Sequence, residues 1–130
     1  MATLTDDMLN DLEKLIYLPM VMTVLAKDRS LVQQAGFKLP RPYLELLAAA
    51  DQCVQVELKK VHDVVRRKGL KVVRGEADEL FTEYIFYHQG YEERRRYLNV
   101  RLRNQVEELL HFYLLSGSAA NLDKTIKCSS

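Results

Sequence analysis

Apolar positions recur at helical spacing along most of this chain and gather at strand-like density over one short stretch. The opening carries helix signals: Thr5 is a cap residue, Asp6 and Asp7 suit the positive end of the helix dipole, and Leu4 with Leu9 fits a hydrophobic staple. A first helix is predicted to about Tyr17. Pro19 then suits the first turn of a second helix, whose pairs Met20/Val21, Val24/Leu25 and Leu31/Val32 keep near-helical spacing until Gly36. One long helix kinked at Pro19 is the alternative.

Residues 37 to 42 read as a connector, because Pro40 and Pro42 push the residues before them toward extended geometry. From Tyr43 to Lys68 the positions Leu44, Leu47, Val54, Leu58, Val61 and Val65 share one face at 100° per residue. Gly69 supplies the stop, and Arg66, Arg67 and Lys68 suit the negative end of this helix. Asp51 interrupts the stripe and Glu57 lies at its margin, where such residues ordinarily reach water.

Leu70 to Arg74, a turn-rich Gly75-Glu76-Ala77-Asp78, and Glu79 to Tyr87 predict a two-stranded hairpin, since Val, Thr, Tyr, Ile and Phe fit pleated surfaces. A competing helix over 78–89 would place Leu80, Phe81, Tyr84, Ile85 and His88 on one face. After Gly90 a long helix from about Tyr91 to Leu115 is expected, with Tyr91, Leu98, Leu102, Val106, Leu109, Leu110 and Tyr113 as its core stripe. Ser116-Gly117-Ser118 should end it. The expected fold is therefore mainly α: three to four helices with a short hairpin, at about 70–87, between the two longest. An all-α fold is the alternative. Residues 1–115 form the expected single helical domain, and 116–130 a flexible polar tail.

Composition adds little to that picture. At 130 residues, 48% apolar and 28% charged, the chain is of single-domain size and ordinary globular content. The longest apolar run, Leu15 to Ala26, is interrupted by Pro19 and Thr23 and falls short of the roughly 20 residues a membrane span needs. No Lys or Arg precedes residue 11, which argues against a secretory signal. A cytoplasmic protein is expected, with Cys53 and Cys128 as reduced thiols.

Charge is uneven. Residues 59–105 hold twelve Lys and Arg against seven Asp and Glu, although the whole chain carries only +1. Arg66, Arg67, Lys71, Arg94, Arg96, Arg101 and Arg103 are the candidate contacts for an anion or nucleic acid. The aromatic run itself contains no Lys or Arg, and on the helix reading Arg94 with Arg101 and Arg96 with Arg103 fall at heptad spacing, where helix-pairing charges sit.

Eight of the eleven Phe and Tyr residues lie between Phe81 and Tyr113. A short hairpin has one face to bury, so helices must cover both faces or one face is an exposed patch of the kind that marks association. The candidate protein interface is Phe81, Tyr84, Phe86, Tyr87, Tyr91 and Tyr97.

Catalytic and cofactor signals are weak. Glu108 and His111 have the Glu-x-x-His spacing of di-iron bundles but no second copy, and Cys53 and His62 lie about 13 Å apart along one helix. No phosphate loop or nucleophile elbow is present. No catalytic, metal or cofactor residue is therefore assigned. The expected function is a small non-enzymatic regulatory or adaptor protein, self-associating and acting through protein contacts. The alternative is a nucleic-acid-binding regulator using an Arg-rich helix and a hairpin wing.

Overall fold

The computed structural model describes residues 4–123. Its elements run α1 (Asp6–Gln34), α2 (Arg41–Arg67), β1 (Leu70–Ala77), β2 (Phe81–His88), β3 (Tyr91–Leu98) and α3 (Asn99–Asp123). The helices pack on one another, and the strands form an antiparallel sheet in the order β1-β2-β3. None of the helices among the described residues is long and apolar enough to cross a membrane.

Helix α1 begins as its sequence demands, with Met8 N–H donating to Thr5 Oγ1 at 3.2 Å and Asp6 and Asp7 in the first turn. It is one helix, not two. Pro19 lies inside it, where a proline costs about 3 kcal/mol. Leu12, Ile16, Leu18, Val21 and Leu25 are buried on both sides of it, and each fully buried aliphatic contributes about 1.5–3 kcal/mol. Burial outweighs the break.

Helix α2 lays Ala50, Cys53, Val54, Glu57, Val61 and Val65 into the core. Glu57 does not reach water as its marginal position suggested; Lys14 Nζ donates to its Oε2 at 3.0 Å, while Oε1 is buried with no hydrogen bond from the described residues. Asp51 is the residue that behaves as a stripe-edge polar, accepting from Gln55 at 2.7 Å. Cys53 is disulfide-bonded, which corrects the reduced-thiol expectation for that residue.

The sheet departs from the two-stranded expectation in number and position. It has three strands, and it follows the two longest helices, α1 and α2, instead of separating the longest pair. The all-α alternative is excluded. The stretch from Tyr91 to Leu98, expected as the first two turns of the last helix, is β3, because Gln89 and Gly90 form a two-residue turn at φ 51° and 81° that folds the chain back on β2. Pairing then continues without a slip from His88↔Tyr91 to Phe81↔Leu98. β1 pairs with β2 from Leu70↔His88 to Arg74↔Tyr84 and shifts register before Ala77↔Thr82. Gly75 lies in that irregularity, where a Cβ would come 2.7 Å from Glu83 Oε1.

Helix α3 follows β3 directly and buries Leu102, Val106 and Tyr113, so the predicted stripe holds once the helix has begun. It extends to Asp123, past the stop expected at Ser116-Gly117-Ser118. The rest of the expected tail, 124–130, lies outside the described residues.

Candidate functional site

Side chains on β2 alternate strictly. Thr82, Tyr84, Phe86 and His88 are buried, while Phe81, Glu83, Ile85 and Tyr87 point the other way and are only partly covered. Leu70, Val72, Tyr84, Phe86 and Tyr97 join the core formed with the helices, so the inner face is the helix-packed one. No outward residue of β2 belongs to that core. The Phe81 end of the outer face borders a cleft shared with α1 and α3, while Ile85 and Tyr87 lie outside the helix-packed core.

The register assembles that face. Ile85 lies between Val73 on β1 and Arg94 on β3, Tyr87 between Lys71 and Glu92, and Phe81 opposite Leu98. The Arg96 guanidinium stacks 4.2 Å over the centre of the Phe81 ring. Arg94 donates to Glu92 Oε2 at 3.0 Å and to Glu83 Oε1 at 3.2 Å. These bonds hold the Arg94 guanidinium more firmly protonated than an ordinary arginine, Glu92 contributing most. The result is an aliphatic and aromatic centre flanked by ordered charges of both signs.

The six aromatic candidates divide. Phe81 and Tyr87 lie on the outer face and Tyr91 is exposed at the β2–β3 turn, but Tyr84 and Phe86 are core residues, 6% and 1% exposed. Tyr97 faces inward and donates to Glu13 Oε2 at 2.8 Å. Burial and that bond push its hydroxyl pKa well above the ordinary phenol range.

The seven cationic candidates fall in three places. Arg66 and Arg67 end α2, Lys71, Arg94 and Arg96 share the outer face, and Arg101 and Arg103 lie in the first turns of α3. The heptad pairing of Arg94 with Arg101 and Arg96 with Arg103 does not form, because the first member of each pair is in a strand. Sequence reasoning missed Val73, Glu83, Ile85, Glu92 and Leu98 as members of this surface. Alternation along 81–87 was the available signal for Glu83 and Ile85; the others required the register.

A cleft of about 700 Å³ opens between α1 and the β3–α3 junction. Glu13, Tyr17, Arg95, Tyr97, Arg101 and Gln105 line it together with Phe81, Arg96 and Leu98, so it adjoins one end of the outer face. Arg95 is already ion-paired to Glu93 and Glu13 is bonded to Tyr97. Burial, followed by the nearby Glu13 charge, raises the Tyr17 hydroxyl pKa. Among the described residues no cluster of His, Cys, Asp and Glu is suited to hold a metal ion.

No solved structure matches this chain. A protein of Bacillus subtilis (strain 168), named Uncharacterized protein YhjD, is 34% identical over 116 residues, covering 89% of this chain and 97% of that protein. The family model described as YhjD protein matches residues 3–118, which takes in all three strands and most of all three helices. On that match the chain belongs to the YhjD protein family.

Proposed function

We propose that this is a non-enzymatic regulatory or adaptor protein that self-associates and works through protein contacts made by its sheet. The observation that carries the reading is the outer face, where Ile85, Val73, Phe81 and Tyr87 sit together outside the core. An apolar centre with a polar, ion-paired rim is the usual anatomy of a protein interface. A photo-crosslinking amino acid at Val73, in cells of the native host, tests it. A discrete protein adduct that disappears with Ile85→Arg is the expected result; adducts unchanged by that substitution would overturn the reading.

The proposed setting is the cytoplasm. The Cys53 disulfide weighs against it, since such bonds persist mainly in oxidising compartments. Cys53 is buried, so alkylation under denaturing conditions after an acid quench of intact cells decides the point.

Binding of nucleic acid is the second reading, favoured by one observation. Arg96 stacks on Phe81 with Lys71 and Arg94 on the same open face, so cations and rings are interleaved across strands although they are separate in sequence. Fluorescence anisotropy of single-stranded RNA and duplex DNA over a salt series tests it. A steep loss of affinity with salt, reduced by Arg96→Gln, supports phosphate contact; no binding at low salt removes this reading.

A further inference from the structure

Among the described residues the sheet has two free edges, and they differ. β1 is interrupted by the register shift after Arg74, with Gly75 and Glu76 in the irregular stretch, a device that blunts an edge against pairing. β3 has no bulge, proline or glycine and pairs regularly with β2 along its whole length. Its outer edge is an uninterrupted row of backbone groups.

The direction of those groups follows from one bond. Asn99 N–H donates to Leu80 O at 2.8 Å, extending the β2–β3 ladder by one hydrogen-bonded pair. Such pairs alternate in an antiparallel ladder, so Tyr97, Arg95, Glu93 and Tyr91 bond to β2. Glu92, Arg94 and Arg96 direct their N–H and C=O groups away from it, and none has a further backbone partner among the described residues. The same strand reads Glu92-Glu93-Arg94-Arg95-Arg96, with its two charge signs in separate blocks. A block pattern of this kind is complementary to its own reversed copy.

We infer that two copies of this chain join β3 to β3, antiparallel, into one six-stranded sheet with Arg94 on the two-fold axis. In that register Glu92 faces Arg96 of the other copy on the outer side, and Glu93 faces the other copy's Arg95 on the inner side. Tyr91 faces Tyr97, so the paired length runs from the Gln89–Gly90 turn to the residue before Leu98 and stops short of α3. The one unfavourable pairing is Arg94 with its own symmetry mate, and each Arg94 already carries Glu92 and Glu83 of its own chain.

Other registers are worse. A two-residue slip one way sets Glu93 against Glu93 and keeps only two Glu–Arg pairs, Glu92 with Arg94, where the preferred register has four; a slip the other way sets Arg94 against Arg96 and Arg95 against Arg95 and keeps none. Like charges directly opposed are destabilising, while a one-residue slip would turn outer side chains onto the inner face. Charge order therefore selects one alignment. This interface leaves the outer sheet face open in both copies, and it rests on the self-association proposed above.

The test is a charge exchange, read by analytical ultracentrifugation of the full chain across the micromolar range, with circular dichroism to verify the fold. The wild-type chain is expected to form dimers. Glu92→Arg alone and Arg96→Glu alone should each weaken the dimer by about tenfold or more. Mixing the two variants should restore it, because one copy then presents arginine at both positions and the other copy presents glutamate at both. A misfolded variant would not be rescued by mixing. A wild-type chain that stays monomeric throughout overturns both this inference and the self-association reading. A dimer that neither reversal weakens, or that mixing fails to restore, overturns the β3 interface and leaves self-association standing on another surface.

Discussion

The Tyr97 hydroxyl donates a 2.8 Å hydrogen bond to Glu13 Oε2, tying the last strand to the first helix across 84 residues of sequence. Elsewhere β3 is held to the body of the protein mainly through β2 and through its continuation into α3. The acceptor is a carboxylate and the donor is half-buried, so this bond belongs to the stronger class. Tyr97→Phe should destabilise the fold by about 1–2 kcal/mol, measured by urea denaturation, with an unchanged m-value.

Burial and, to a smaller extent, the Glu57 charge push the Tyr113 hydroxyl pKa up to about 12. The folded state thus keeps this proton more tightly than the unfolded chain, whose phenols titrate near the ordinary value of 10. The stabilisation is complete below pH 10 and is lost as pH rises through about 12. Stability measured against pH should fall over that window, and Tyr113→Phe should make the fall shallower; an identical slope in the variant would count against this account.

Lys14 and Glu57 pair at 3.0 Å with the carboxylate almost fully enclosed and the ammonium partly open to water. Removing Lys14 strands a buried charge, whereas removing both partners does not. Lys14→Met should cost about 1–2 kcal/mol, less than a fully buried pair because of the open lysine end. The double variant with Glu57→Leu should recover most of that loss. A double-mutant cycle in urea measures the coupling.

Gln89 holds a left-handed backbone conformation at φ 51°, where residues other than glycine and asparagine are strained. Gln89→Asn should raise stability by about 0.5 kcal/mol, seen as a higher thermal midpoint. Gly90→Ala, at φ 81°, should lower it.

How much of this was legible in the sequence follows from how each element is stabilised. Helix α2 could be read because Val54, Val61 and Val65 bury one stripe and Gly69, at φ 69°, follows as its stop. The continuity of α1 could not, since Pro19 is locally a good helix start and only the packing of Leu12, Ile16, Val21 and Leu25 against other elements carries the helix through it. β3 was hidden for a different reason. Both of its faces are charged from Glu92 to Arg96, so it shows no apolar alternation, and its spacing coincided with a helical stripe through Tyr91 and Leu98. The candidate surface was half legible. Phe81 and Tyr87 stood out as aromatics, but the stacking of Arg96 on Phe81 is a cross-strand contact that exists only once the register is known.

β3 ends at Leu98 and α3 begins at Asn99, with no residue between them. Asn99 fastens the junction, donating from its side chain to Asp78 O at 2.9 Å and accepting from Thr82 Oγ1 at 2.7 Å. In mechanical terms this is a welded joint instead of a hinge. Because Leu102, Val106 and Tyr113 of α3 are seated in the core, the weld ties the free-edged strand of the sheet to the helical layer, so β3 cannot peel away without disturbing the packing of α3.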